Sequence, residues 1–376
     1  MSCSEFHSDK NGCGCNTTLC FIIPPHILKH MAQNAQDPQL QQAATRALAV
    51  RSAIHQERQA ASARAQQQKA ALAAEAPRPD NKNRVIFDAQ NSVNLQMSPP
   101  KRQEGDGDTD DLAVDEAYNY SGLTWDFFKQ VFGRNSIDDA GLDLISTVHY
   151  RRNFENAFWN GEQMVYGDGF PTVSNRFTIC IDVIGHELTH GVTQYTADLR
   201  YQGQSGALNE HVSDVFGSLI KQMSLNHTAD QADWLIGEGL WVPKEGVNRT
   251  ALRSMSAPGT AYDDPAVLGR DPQPDHMDRY LNLPEDEDND YGGVHINSGI
   301  PNKAFYLAAT ALGGYAWEKA GRIWYRTLTG GQLRSRATFA EMAALTVAAA
   351  EELFDSDVAQ TVSDAWAGVG VTGAMV

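Results

Sequence analysis

The segment Ile181-Asp182-Val183-Ile184-Gly185-His186-Glu187-Leu188-Thr189-His190 constrains this chain more than any other. Its apolar residues recur at helical spacing, which predicts a helix near residues 181–195. On a helix, positions i and i+4 share one face with Cβ atoms about 5–6 Å apart. His186 and His190 therefore present two imidazoles to one point, where they can grip a single cation. Glu187 points partly aside and can approach a water at that cation without itself ligating. Alone, the pair also fits an amphipathic helix whose histidines bind nothing.

A second segment narrows that choice. Nineteen residues separate His190 from Glu210, which lies in Gly206-Ala207-Leu208-Asn209-Glu210-His211-Val212-Ser213-Asp214. A catalytic zinc takes three protein ligands and keeps one position open, and two His plus one Glu make such a set. Asp214, four residues on, faces the same side as Glu210 and is placed to accept a hydrogen bond from the outer nitrogen of a ligating His, fixing its tautomer. The competing reading makes Glu210 and Asp214 a solvated helix face.

Around these segments the chain divides by texture. Residues 26–75 are rich in Ala, Gln and Arg, which predicts a short helix before Pro38 and a longer one after it. Ala76 to Asn81 reads as an exposed linker, because two prolines and short polar residues resist regular structure. From Arg84 to about Thr178, runs such as RVIFDA and QMVYGDG predict strands, with helices expected around Asp110–Phe132 and Ala140–His149. Beyond Ile181 the chain reads as mostly helical, with long loops near 241–300. The fold class is α+β, a mixed α/β half followed by a mainly α-helical half. A formal net charge of −17 argues against nucleic acid as a partner, since phosphate binding needs a basic face. No run approaches the roughly 20 apolar residues that span a bilayer, so no membrane role is expected.

Several separated strings resemble the thermolysin-like zinc metallopeptidases, and within them the protealysin-like group with short prosegments. They are NAFWNGEQMVYGDG (156–169), GHELTHGVTQY (185–195), YQGQSGALNEHVSD (201–214), LRSM (252–255) and GGVHINSGIPNKAFY (292–306), and the likeness covers roughly residues 21–376. The resemblance implies a two-domain peptidase joined by the zinc-binding helix, with a helical prosegment in front. The expected boundaries are a leader over 1–20, prosegment and linker over 21–81, an N-terminal catalytic domain over 82–195, and a C-terminal helical domain over 196–376. It also implies zinc ligands His186, His190 and Glu210, with Glu187 as general base. Tyr201 and His295 would donate to the oxyanion, and Asp290 would orient His295. Asn156, the carbonyl of Ala157 and Arg253 would hold the substrate backbone. Val183, Ile236, Leu240 and Leu252 would line a pocket for the residue after the scissile bond, favouring a hydrophobic side chain there. The implied activity is hydrolysis of internal peptide bonds in peptide or protein substrates. Two alternatives stand beside it. One is a catalytically silent binding protein on the same fold; the other is a zinc aminopeptidase, disfavoured because related aminopeptidases space the third ligand one residue closer.

Members of this family often bind two adjacent calcium ions beside the zinc helix. Here Asp182, Asp233 and Glu238 remain at matching positions, but Lys221 and Leu235 replace two others. A lysine among carboxylates repels cations, so the double calcium site is expected to be empty. Phe21 to Leu28 (FIIPPHIL) resembles the Pro-Pro motif that opens protealysin-like prosegments. The expectation is that Pro24 and Pro25 lie against the catalytic cleft and keep the precursor latent until cleavage near 76–84; the rival reading is a surface helix pair that aids folding. Asp106–Asp111 and Glu285–Asp290 read as solvated acidic loops, Asp290 excepted. Cys3, Cys13, Cys15 and Cys20 crowd a leader that reads as flexible, and Cys180 as a small buried residue. Glu5, Asp9 and Lys10 break any standard secretory signal, so a cytoplasmic protein or one exported by a non-standard route is expected.

Overall fold

The computed structural model describes residues 21–51 and 79–372. The Cys-containing leader and residues 76–78 of the predicted linker lie outside the described residues. The prosegment opens with α1 (Pro25–Asn34), whose first position is proline, where the missing N–H costs nothing. A second helix, α2, covers residues 38–51, so the break at Asp37-Pro38 falls where the sequence places it. Ile27, Leu28 and Met31 form the buried face of α1, and Leu40, Ala43, Ala44 and Ala47 that of α2.

A five-stranded sheet follows, built from β1 (Arg84–Asp88), β2 (Arg102–Gln103), β3 (Leu144–Val148), β4 (Ala157–Trp159) and β5 (Met164–Tyr166). Its order is β2-β1-β3-β5-β4, with parallel β1·β3 and β3·β5 pairs and an antiparallel β4·β5 pair at one edge. Helix α3 (Leu112–Phe132) crosses between β2 and β3; Asp111 caps it by accepting from the Ala113 and Val114 amides, and Gly133 ends it at φ 74°. The helix expected around Ala140–His149 is instead the central strand β3. Ile145, Thr147 and Val148 are β-branched, and pairing on both sides outweighs the weak local helical pattern.

The second half is helical: α4 (Ile181–Gln194), α5 (Gly203–Leu225), α6 (Asp290–Asn297), α7 (Gly299–Leu312), α8 (Ala320–Thr329), α9 (Phe339–Leu353) and α10 (Ser356–Ala367). Residues 241–300, expected as long loops, contain β7 (Asn248–Arg249), β9 (Tyr262–Asp264) and β10 (Gly269–Arg270) in one small sheet; β6 (Leu235–Ile236) pairs with β8 (Arg253–Ser254) in another. Strands of two or three residues are too short to show alternation in sequence. No helix among the described residues is long and apolar enough to cross a membrane.

The contact that positions the site is α4 on α5. A Cβ on Gly217 would stand 2.5 Å from the Asp182 carbonyl oxygen, and one on Gly185 would stand 3.2 Å from Gly217 Cα. Two glycines thus let the helix backbones approach closely, bringing Glu210 of α5 beside the histidines of α4.

Candidate active site

His186 Nε2 and His190 Nε2 lie 2.9 Å apart, and the Glu210 carboxylate oxygens stand 3.5 Å and 3.6 Å from them respectively. All three side chains are fully buried. The outer nitrogens fix what the inner ones can do. His186 Nδ1 faces Asp214 Oδ1 at 2.8 Å and must donate to it. His190 Nδ1 faces Asn209 Oδ1 at 2.7 Å, and Asn209 is oriented by its own amide, which donates to the Leu199 carbonyl at 2.9 Å. Both protons therefore point outward, leaving two nitrogen lone pairs and a carboxylate converging on one point. Glu210 Oε2 has no hydrogen-bond donor among the described residues. Such a donor set, away from water, fits a cation.

Asp214 does more than the sequence suggests. Besides His186, it accepts from Arg253 Nε at 2.8 Å and Nη2 at 2.7 Å, and from Asn302 Nδ2 at 2.8 Å. Burial alone would raise its pKa, but Arg253 and His186 hold the carboxyl far below the usual range. Asn209 and Asn302, which orient His190 and Asp214, were not singled out in the sequence. Their only visible signal is proximity to the ligand strings: Asn209 directly precedes Glu210, and Asn302 lies within GGVHINSGIPNKAFY.

Glu187 is buried next to this cluster, with Oε2 accepting from the Trp159 amide at 3.0 Å, at the end of edge strand β4. On the other side His295 Nδ1 donates to Asp290 Oδ1 at 2.7 Å, and the His295 amide donates to Asp290 Oδ2 at 2.9 Å. That return is made by a tight turn: Asp290 and Tyr291 have φ 54° and 51°, followed by Gly292 and Gly293 at 93° and 72°. Burial opposes a charge on His295, but Asp290 and Glu210 outweigh it and raise its pKa. Tyr201 hydroxyl bonds to Glu210 Oε1 and lies 3.1 Å from His295 Nε2.

The residues expected to hold substrate backbone hold the prosegment instead. Ile22 N–H donates to the Ala157 carbonyl at 3.2 Å, and Ile23 N–H to Asn156 Oδ1 at 2.9 Å. Asn156 Nδ2 donates to the Ile23 carbonyl at 3.2 Å, and Arg253 Nη1 reaches the Ile22 carbonyl at 3.4 Å. His295 Nε2 lies 3.1 Å from the Phe21 carbonyl oxygen. Pro24 and Pro25, which follow this stretch, are buried. Val183, Ile236, Leu240 and Leu252 are all buried in the same apolar core as Ile22. His26 is not at the triad; its Nε2 bonds to Tyr262 hydroxyl at 2.9 Å, and burial lowers its pKa to about 4.

At the outer face of α4, Lys221 Nζ stands 2.7 Å from Asp233 and 3.5 Å from both Asp182 and Glu238. Among the acidic runs, Glu285–Asp290 carries Asp286, which caps a 3₁₀ turn, and Asp288, which pairs with Lys29 of the prosegment at 3.1 Å.

Comparison with known proteins agrees with this geometry. A family model described as thermolysin metallopeptidase, catalytic domain, matches residues 56–194, and one described as thermolysin metallopeptidase, alpha-helical domain, matches residues 197–371. An extracellular metalloprotease of Pectobacterium carotovorum subsp. carotovorum is 49% identical over 363 residues, covering 94% of this chain and 96% of the relative. Protease PrtS of Photorhabdus sp. (strain Az29) is 53% identical over 292 residues, covering 78% and 77%. Among solved structures, a precursor of protealysin, a metalloproteinase from Serratia proteamaculans, superposes with TM-score 0.82 at 50% identity, covering 94% of this chain and all of that one.

Proposed function

This chain belongs to the thermolysin metallopeptidase family, and from that premise we propose how its own residues hydrolyse peptide bonds. It is a metalloendopeptidase made as a latent precursor, with the thermolysin-like two-domain fold. We divide it as prosegment and linker over 21–81, the sheet-bearing domain over 82–195, and the helical domain over 196–376.

The observation that carries the reading is the convergence of His186, His190 and Glu210 beside Glu187. These three would hold zinc, which when bound supplies Lewis acidity and lowers the pKa of water to about 7. Glu187, pinned by the Trp159 amide, takes the proton of the attacking water and passes it to the departing nitrogen. His295, whose charged form Asp290 favours, donates to the carbonyl oxygen where negative charge develops. Tyr201 joins it once its hydroxyl turns from Glu210 toward that oxygen. Arg253, Asn156 and the Ala157 carbonyl hold the backbone after the scissile bond, and Asp214 locks both Arg253 and His186 in place. Val183, Ile236, Leu240 and Leu252 favour Leu, Ile, Phe or Val just after that bond.

The path of residues 21–23 supports an endopeptidase over an aminopeptidase. Cys20 and the residues before it precede Phe21, so the chain in the cleft is a peptide interior rather than a free amino end. Lys221, with its ammonium among three carboxylates, supports reading the double calcium site as empty.

A library of N-terminally blocked peptides tests the mechanism. Wild type freed of its prosegment should cleave before hydrophobic residues. Glu187→Ala or a zinc chelator should lower the rate by about 10² to 10⁴. Full activity in the mutant removes the proposed mechanism, and cleavage mainly before charged residues removes the proposed pocket.

A further inference from the structure

The geometry points to a substrate that lies within the chain itself: the peptide bond between Phe21 and Ile22, which the precursor cuts in its own active site, shedding residues 1–21. This rests on the endopeptidase reading above and goes beyond latency, since a blocking segment need not be cleavable.

Register is the first argument. Taken in chain order, the Phe21 carbonyl meets His295 (3.1 Å), the Ile22 amide meets the Ala157 carbonyl (3.2 Å), and the Ile22 carbonyl meets Arg253 (3.4 Å). The Ile23 amide and carbonyl then meet the two ends of the Asn156 side chain at 2.9 Å and 3.2 Å. A segment running the opposite way would present donors and acceptors in the wrong sequence. Here the carbonyl beside the oxyanion donor and the amide beside the edge strand belong to one peptide group. That group is therefore seated as the bond to be broken. Glu187 is held by the Trp159 amide, two residues beyond Ala157 on the same strand.

The second argument is side-chain chemistry. Ile22 is the residue after the bond, and it is apolar and fully buried, as the proposed specificity requires. Phe21 before it is also buried, with its ring 5.1 Å from that of Phe158. The prolines, which would block cleavage if they supplied the leaving nitrogen, begin only at Pro24; Ile22 has an N–H and becomes an ordinary primary amine. Hydrolysis consumes one water. Its oxygen bonds to the Phe21 carbonyl carbon, the C–N bond breaks, and Glu187 carries a proton to the Ile22 nitrogen. Both partners are on one chain, so the step is first order.

After the cut, Ile22 and Ile23 still have Ala157, Asn156 and Arg253. Helix α1 stays docked through His26 on Tyr262, Lys29 on the Asp288 carbonyl at 2.6 Å, and His30 on the Pro265 carbonyl at 2.8 Å. The leader and its four cysteines leave while the cleft beyond the bond stays filled.

Full-length zinc-loaded protein, followed by intact mass and N-terminal sequencing, tests this. A species beginning at Ile22 should accumulate at a rate independent of protein concentration. It should form at least about a hundredfold more slowly in Glu187→Ala, and Ile22→Asp should abolish the cut at this bond. A readout independent of turnover is amide hydrogen exchange in the Glu187→Ala protein: the Ile22 and Ile23 amides should be protected, and adding Ile22→Asp should release them. Suppose Ile22→Asp protein hydrolyses a blocked peptide while wild type keeps its Phe21–Ile22 bond. The inference then fails and the endopeptidase reading stands. If neither protein hydrolyses any peptide bond, that reading fails and takes the inference with it.

Discussion

His149 shows what a single residue does at the base of the catalytic half. Its Nδ1 bonds Asp168 Oδ1 at 2.7 Å and its Nε2 bonds Asp111 Oδ2 at 2.9 Å, so it ties the loop after β5 to the N-cap of α3. The bond to Asp168, then that to Asp111, outweigh burial and raise its pKa to about 9. A histidine whose folded pKa exceeds its unfolded value of about 6.5 contributes stability that is fully present below that value. The contribution is lost as pH rises through about 9. Unfolding midpoints in urea at pH 6 and pH 9.5 should therefore differ more for wild type than for His149→Gln; equal losses would reject this role. Little of it was legible in the sequence. Asp106–Asp111 reads there as a solvated acidic run, and Asp106, Asp108 and Asp110 are exposed, but Asp111 caps α3 and bonds His149. His149 meets Asp111 and Asp168 from distant points of the chain, and a local charge pattern does not announce such a partner. By contrast His186, His190 and Glu210 were legible, because helical spacing alone brings the histidines together and the third ligand falls in an equally helical string.

At the scale of elements, the packing of α4 on α5 governs both the metal cluster and the lysine behind it. Lys221 of α5 reaches Asp182 in the first turn of α4 and Asp233 and Glu238 in the loops beside it. Burial would lower the pKa of this lysine, but Asp182 and Asp233 overcome that and push the ammonium above its ordinary range. An ammonium so held would repel a divalent cation among these carboxylates, and it links two elements through its ion pairs. A calcium-selective chelator that spares zinc should leave the melting temperature unchanged, whereas Lys221→Ala should destabilise the protein by about 2 kcal/mol. A large loss on chelation, or a Lys221→Ala protein as stable as wild type, would contradict this account. Sequence reading reached this site because the family pattern named the positions. It missed β3, whose β-branched run declares itself only when β1 and β5 flank it. It also missed the two-residue strands β6 and β8 that carry Ile236 and Arg253 to the cleft.

At the scale of the whole molecule, latency and stability are one structural fact. Phe21, Ile22, Ile23, Ile27, Leu28, Met31 and Leu40 of the prosegment are buried in the same apolar core as the catalytic domain. Each such side chain is worth about 1.5–3 kcal/mol of gross burial, offset by the ordering of the segment that carries it. Pro24 and Pro25 reduce that offset, because their backbone is already restricted before docking. The same contacts that stabilise the precursor occupy Asn156, the Ala157 carbonyl and Arg253, the groups proposed above to hold substrate backbone, so one cannot be removed without the other. Deleting residues 1–80 should therefore do two things together: raise hydrolysis of a blocked peptide and lower the melting temperature. A surface helix pair that only assists folding predicts a different pair of results, a folded deletion protein with no gain in activity. A point change separates the effects further. Ile23→Asp in the full chain places a charge where the segment is fully buried, beside the Asn156 amide that grips its backbone. The segment should then lift from the cleft while α2 remains available to rebind, giving partial activity and a smaller fall in melting temperature than the deletion. Activity in Ile23→Asp no greater than in the latent wild type would mean that these contacts do not hold the cleft closed.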